Sequence, residues 1–293
     1  MKSSRRIALA AKVALALLMT AGLITPAYAQ GTGSGAESAP EPAAQAAVVP
    51  DRVMTWNSHG QDIFSGPALL RDQIRKFRPQ IVLLQESCHG EIRSAVRQLK
   101  RDGLHYEFRP GTANYHLLCP SGNGQAVLVA KGTPFSNYKT VPYTVKDNEE
   151  RGYSTFTTTL AGRTVQVFNT HLNSARGAAT RPQQVKELIA AARPYRRTLV
   201  GGDFNTQPWD SSQMKPVWEQ RPAYRDVDPF CGKTWSKQCN GTQEGSGKKF
   251  DYLLHQGINS RACYLRNTRN EDHRVVVSDV TASAPSTDPC RFV

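Results

Sequence analysis

The residues best equipped for chemistry stand at the ends of short apolar runs. In "GGDFNTQP", residues 201–208, two glycines close the run Thr198-Leu199-Val200, and Asp203 and Asn205 follow two positions apart. In an extended chain such a pair points to one side. The placement recurs: Asn57 follows "VMTW", Glu86 follows "IVLLQ", His171 follows "VQVFNT", Asp251 opens "DYLLH", and Asp272 and His273 open "HRVVV". Taken singly, an acid or amide after a strand serves as a turn former or helix cap, and a lone histidine as a hydrogen-bonding group. Taken together, eight such groups flank six apolar segments. Strand ends in an open α/β sheet converge on a crevice, where ligands bind.

The chemistry of the set is coherent. Asp, Glu and Asn are hard oxygen ligands suited to Mg²⁺, Mn²⁺ or Ca²⁺. Two histidines move protons near neutral pH, and a carboxylate beside one of them would fix its tautomer and stabilise its imidazolium. Hydrolysis of a phosphodiester needs these parts: charge on the anionic oxygens, an activated water and a donor for the leaving oxygen.

The elements that must hold these residues alternate. "RVMTW" reads as a strand, "GPALLRDQIRKFRP" as a helix through Leu70, Ile74 and Phe77, "QIVLLQES" as a buried strand, and "EIRSAVRQLKR" as a second helix. "GQAVLVAKG" follows as a strand, then a hairpin over "YSTFTTTL-AGR-TVQVFNTHL" and a helix over "RPQQVKELIAAAR" with Pro182 near its start. "RTLVGGDFN", "FDYLLH" and "HRVVVSDVTA" complete the strands, and the polar, Gly-rich residues 209–249 read as a long loop. The pattern is α/β with mixed sheets.

"MKSSRRIALAAKVALALLMTAGLITPAYAQ" has the basic start, apolar stretch and Ala27-Tyr28-Ala29 pattern of a secretory signal peptide, residues 1–29, cut after Ala29. Arg5 and Arg6 also fit a twin-arginine route. Residues 30–50 read as a disordered leader. No later segment is apolar enough to span a bilayer, so stable membrane insertion is not expected. The whole chain carries a formal +13; removal of the signal, with its four basic residues and no acid, leaves 33 basic against 24 acidic residues, a net +9. Such a surface attracts polyanions: nucleic acid, anionic lipid or wall polymer. Six cysteines behind an export signal argue for disulfides. Nearness in sequence favours Cys88–Cys119, Cys231–Cys239 and Cys263–Cys290. No close Cys pair with a His cluster suggests zinc.

Asn57 in "TWNSHG", Glu86 in "LLQES", His171 in "NTHL", the "GGDFN" block and the late Asp-His together resemble the endonuclease/exonuclease/phosphatase superfamily, the deoxyribonuclease I-like group that also holds the active subunit of cytolethal distending toxin. The resemblance spans about residues 51–283, with 284–293 as a C-terminal tail tied by Cys290. It implies a four-layer α/β/β/α sandwich of two packed mixed sheets, with the site at one edge. It implies a divalent metal, Mg²⁺ or else Mn²⁺ or Ca²⁺, held mainly by Glu86 with Asn57 and Asp272 close by. His273, oriented by Asp251, would be general base; His171 would stabilise or protonate the leaving side; Asp203 and Asn205 would position water and phosphate. Arg151 falls where the family carries a phosphate-binding Arg, though it reads equally as a surface charge. Asn173 is placed to reach substrate or to serve a turn. Two features depart from the family: Glu271 stands where Ser is usual, and Gln125 near where Asn is common. "VSDV" at 277–280 is a decoy, with Val280 where His should stand.

The resemblance implies a secreted, metal-dependent phosphodiesterase, an endonuclease acting on DNA or else RNA with little sequence preference. Arg176 and Arg181, just beyond His171, are candidate phosphate contacts and read at least as readily as solvated surface charges. Alternatives are the same chemistry on a lipid, as in a sphingomyelinase or inositol-lipid phosphatase, or on a wall polymer. A lipid enzyme would expose an apolar hairpin, and none is evident in the sequence. A monomer is expected, while a toxin-like subunit with a delivery partner stays open.

Overall fold

The computed structural model describes residues 47–59, 66–147, 149–174, 178–268 and 272–293. The signal peptide and most of the leader, together with Arg176 and Glu271, lie outside these residues. The strands are β1 Val49–Asn57, β2 Pro79–Cys88, β3 Tyr106–His116, β4 Cys119–Ala130, β5 Phe135–Pro142, β6 Gly152–Leu160, β7 Arg163–His171, β8 Thr198–Asp203, β9 Arg225–Asp226, β10 Asp251–Gln256, β11 Asn259–Arg266, β12 Val275–Thr281 and β13 Arg291–Phe292. The helices are α1 Gly66–Phe77, α2 His89–Arg101, α3 Arg181–Ala192 and α4 Ser211–Trp218.

Among the described residues the strands form two mixed sheets, ordered β13-β11-β12-β1-β2-β4-β3 and β5-β6-β7-β8-β10-β9. Each contains a parallel pair bridged by a helix, β1-α1-β2 in the first and β7-α3-β8 in the second. Period-two alternation of apolar residues sorts the strands into layers. Val53, Ile81 and Leu83 of the first sheet pack against Val165, Val167, Leu199 and Leu253 of the second. Met54, Val82 and Leu84 face outward onto Leu70, Ile74 and Phe77 of α1 and Ile92 and Leu99 of α2. Phe168, Val200 and Leu254 face the opposite way, onto Val185, Leu188 and Ile189 of α3 and Met214 and Val217 of α4. The result is the four-layer α/β/β/α sandwich.

Three disulfides close Cys88–Cys119, Cys231–Cys239 and Cys263–Cys290, the pairing that nearness in sequence favours. Cys290 thereby holds the tail, whose β13 lies parallel to β11. The loop expected over 209–249 contains α4 and β9. Asp210 caps α4, its side chain accepting from the Ser212 amide, and burial of Met214 and Val217 holds it despite Pro216. The strand expected to open at His273 begins instead at Val275, and His273 makes an isolated bridge to Gln243.

Candidate active site

The inner-facing residues turn from apolar to polar along each strand, all toward one end of the sandwich. Val53 leads through Thr55 to Asn57, Leu83 to Gln85, Val167 through Asn169 to His171, and Leu199 through Gly201 to Asp203. The middle step is a buried amide layer. Gln85 Nε2 donates to Asn169 Oδ1 at 2.7 Å and Thr55 Oγ1 at 3.2 Å, and Asn169 Nδ2 donates to the carbonyls of Leu84 and Ala126 at 3.1 and 3.0 Å. Such groups stay buried because they are paired, and they fix the distance between the sheets just beneath the site.

The two glycines before Asp203 allow that approach. A Cβ on Gly201 would stand 2.5 Å from Leu83 Cδ1 of the other sheet, and one on Gly202, at φ +136, would meet the Thr170 carbonyl oxygen at 1.9 Å. Two polar residues are themselves left-handed: Glu86 at φ 47 and Asn205 at φ 51. At Glu86 the register between β2 and β4 shifts between Leu84 and Ser87. Strict alternation would send residue 86 outward with Val82 and Leu84; the bulge turns it back toward the other sheet.

Asn57 bridges the halves of the site. Its Nδ2 donates to Glu86 Oε1 and to Asp203 Oδ2, both at 3.0 Å. His171 Nε2 lies 3.5 Å from Glu86 Oε1 and 3.5 Å from Asp203 Oδ2. Asn205 donates its amide N–H to Asp203 Oδ1 at 2.7 Å and its Nδ2 to the Leu172 carbonyl at 3.1 Å. On the far side His273 Nδ1 bonds Asp251 Oδ2 at 2.8 Å, and its Nε2 faces Asp203 Oδ2 at 3.9 Å and Asp272 Oδ1 at 3.7 Å. Antiparallel pairing of β10 with β8 sets Asp251 opposite Asp203. The His273 carbonyl accepts from Trp56 Nε1 and Thr268 Oγ1, each at 3.1 Å, so the residue is held although it precedes its strand.

The electrostatics separate the two histidines. Burial, then the charges of Arg151 and His273, hold His171 well below the usual histidine range. The Arg151 guanidinium contacts both ring nitrogens of His171, Nδ1 and, at 3.0 Å, Nε2, and Asn205 Nδ2 lies 3.3 Å from Nε2, so the neutral ring sits among donors with its Nε2 side facing Glu86 and Asp203. Burial opposes charging of His273, but Asp251, Asp203 and Asp272 outweigh it and raise the group to about 10. Asp203 is pushed up to about 7, by burial first and by Asp251 second.

The ion-binding chemistry fits this set. Ligand atoms of Glu86, His171 and Asp203, and of Asp203, Asp251 and His273, lie within 4.8 Å of one another. Asp251 Oδ1 is buried with no hydrogen-bond partner, and carboxylates crowded in this way call for positive charge. The sequence reading missed His59, whose Nδ1 bonds Asp272 Oδ2 at 2.7 Å and lies 4.0 Å from Glu86 Oε2. Its position in "NSH", two past Asn57, was the available signal.

The other expected residues differ in their surroundings. Asn173 is buried just after β7, donating to Thr180 Oγ1 at 2.6 Å. Arg181 is buried and donates to the carbonyls of Asn173 and Ser174 and to Gln213, clamping the loop, and it lines a cleft together with Asn205. Gln125 donates to the Gly152 carbonyl at 2.7 Å. Asp279 of "VSDV" pairs with Arg52 at 2.6 Å, away from the cluster. Arg151 lines a cleft of about 400 Å³ together with Glu86, Gln125 and His171.

Residues 54–262 match the family model described as "Endonuclease/Exonuclease/phosphatase family". The chain belongs to the endonuclease/exonuclease/phosphatase family. Asp272 and His273 lie beyond the matched segment, and the geometry alone brings them to the site. Humanised D. rerio TDP2 superposes with a TM-score of 0.63 at 16% identity, covering 78% of this chain and 98% of that one. D. rerio TDP2 in complex with a single-strand DNA product gives 0.61 at 16%, covering 78% and 97%. The human Nocturnin catalytic domain with bound sulfate gives 0.60 at 19%, covering 79% and 94%. At these identities the likeness shows the shared fold. No curated protein matches the chain by sequence. Members of the family are phosphodiesterases and nucleases that depend on divalent metals.

Proposed function

We propose that the protein is a secreted phosphodiesterase, dependent on Mg²⁺ or a similar divalent ion, that cuts DNA internally with little sequence preference. The observation that carries this reading is the Asp251–His273 pair, with His273 Nε2 turned toward Asp203 and His171 Nε2 across the cluster. Two imidazoles thus stand on opposite sides of the place a phosphate would occupy, one paired with a carboxylate and the other held neutral by burial. Glu86, with Asn57 and Asp272 beside it, would hold the ion. When bound, a divalent cation supplies charge for the phosphate oxygens and, by sharing the carboxylates, lowers the proton affinity of His273. His273 then takes the proton of the attacking water, and Asp251 stabilises the resulting imidazolium. His171 stabilises or protonates the leaving side. Asn205 and Arg151 supply donors for the non-bridging oxygens.

DNA as substrate is supported by the basic balance of the chain and by the D. rerio TDP2 structure holding a single-strand DNA product. Export is supported by the three disulfides. Among the described residues no helix is long and apolar enough to cross a membrane. A lipid phosphodiester is the second reading, and one observation favours it: Tyr115, Leu117 and Leu118 are exposed at the tip of the β3–β4 hairpin, an apolar tip not anticipated from sequence.

The test is plasmid nicking by the mature chain with Mg²⁺, with Ca²⁺ plus Mg²⁺, with chelator, and with the His171→Ala variant. Metal-dependent nicking absent from the variant is expected. Nicking that survives exhaustive chelation would overturn the metal dependence, and an inert wild type that hydrolyses sphingomyelin would move the assignment to lipid.

A further inference from the structure

The site is flanked on two sides by protrusions that carry exposed aromatic rings, each closed by its own disulfide. On one side is the β3–β4 hairpin. Tyr115 is 78% exposed and lines the 400 Å³ cleft that begins at Glu86 and His171. The Cys88–Cys119 disulfide anchors this hairpin two residues after Glu86. On the other side a second cleft, of about 700 Å³, begins at Asn205 and is walled by Trp209, Lys248 and Phe250. Trp235 packs edge-to-face on Trp209, with ring centroids 6.4 Å apart, and is itself 65% exposed. It sits mid-way in "CGKTWSKQC", the loop closed by Cys231–Cys239. Lys233 and Lys237 flank it, both exposed, as is Lys248.

We infer that the Trp235 loop and the Tyr115 hairpin are base-stacking subsites on either side of the scissile phosphate, and that a single-stranded polynucleotide is therefore preferred over a duplex. This rests on the phosphodiesterase reading above and adds the class of substrate. An exposed ring beside lysines is the means by which proteins hold unpaired strands: every base offers a π-face, and the cations follow the backbone. In a duplex those faces are already stacked on neighbouring bases, so rings on both sides of the cut favour a strand whose bases are free. The disulfides matter because a ring held in place before binding loses less freedom on binding. The polar walls between the platforms, Asn114, Asn123 and Gln125 on one side and Gln207 and Gln243 on the other, suit a phosphodiester chain better than acyl tails.

The experiment measures binding and turnover separately. Binding of a fluorescein-labelled oligo(dT) and of a blunt duplex of equal length is followed without added metal. Hydrolysis of both is followed with Mg²⁺. Methyl p-nitrophenyl phosphate, too small to reach either platform, reports whether wild type hydrolyses diesters at all. Tighter binding and at least about tenfold lower KM for the single strand are expected. Trp235→Ala and Tyr115→Ala should each weaken oligo(dT) binding about tenfold and raise its KM with kcat little changed, and Trp235→Phe should restore most of the loss. Equal or better use of the duplex, or unchanged oligo(dT) binding in both alanine variants, would overturn the inference. So would a Trp235→Ala defect confined to vesicles of anionic phospholipid. Failure of wild type to hydrolyse the small diester with any divalent metal would sink the phosphodiesterase reading instead, while the binding arm still decides the subsites.

Discussion

At His171 the surroundings decide what the residue can do. Burial first, and then the Arg151 guanidinium beside both ring nitrogens, keep the ring neutral as it enters catalysis. Asp203 is equally committed: buried, bonded to Asn57 and the Asn205 amide, and facing both histidines. His171→Ala and Asp203→Ala should each lower phosphodiester turnover by about 10²–10⁴-fold in proteins with unchanged far-UV circular dichroism. Turnover within a few-fold of wild type in either would refute the assignment. The identity of these residues was legible from sequence because each closes an apolar run. Their direction was only partly so. Period two points Asn57, His171 and Asp203 inward, but Glu86 has the wrong parity and reaches the site only through a bulge that no local signal marks. Nothing in the sequence shows the carbonyls that Arg181 clamps.

At the scale of elements, the strands that read clearly were those buried on both faces. β3 and β5 alternate poorly and are largely exposed, so their sequences lack the apolar signal that made β2 and β8 evident. α4 was hidden by its interior proline and its eight-residue length. Two element-level contacts make testable claims. The Cys88–Cys119 bond joins the end of β2 to the base of the β3–β4 hairpin across 31 residues. Replacing both cysteines by serine should lower unfolding free energy by about 2–4 kcal/mol, read as a lower urea midpoint. An unchanged midpoint would mean that the hairpin is held by its ladder alone. In the amide layer, Asn169→Leu removes the nearer of the two acceptors of Gln85 Nε2 and the side-chain donor to the Leu84 and Ala126 carbonyls. Orphaned buried groups cost about 1–3 kcal/mol each, so this variant should be destabilised, and it should lose activity as the sheets shift. A variant as stable and active as wild type would show that the layer is replaceable by apolar packing.

For the molecule as a whole, proton and ion binding are read against global unfolding. His255 is buried, chiefly by desolvation lowered to about 4. The unfolded chain takes up that proton near pH 6.5 while the folded chain refuses it until about 4, so stability present above 6.5 is lost as pH falls through this window, by about 3 kcal/mol. Asp203 and Asp226, raised to about 7 and about 6, act in the opposite sense and lose stability as pH rises. Comparison of wild type with His255→Gln therefore isolates the histidine: the variant should lose less stability between pH 7 and 4.5 in urea unfolding, and parallel losses would exclude the assignment. The metal makes the larger claim. Asn57, Glu86 and Asp272 come from the first sheet or its approach, while His171, Asp203 and Asp251 come from the second. An ion held by Glu86, Asn57 and Asp272 stands opposite His171, Asp203 and Asp251 and offsets the like charges that otherwise repel at this edge, and it has no comparable site in the unfolded chain. At a hundredfold excess over its dissociation constant such an ion stabilises by about 2.7 kcal/mol, which for a domain of this size raises Tm by about 5–10 °C. Mg²⁺ or Mn²⁺ should produce this rise, chelator should reverse it, and Glu86→Gln should abolish most of it without any reference to catalysis. A Tm indifferent to divalent ions in wild type would mean that the carboxylate cluster holds protons rather than metal.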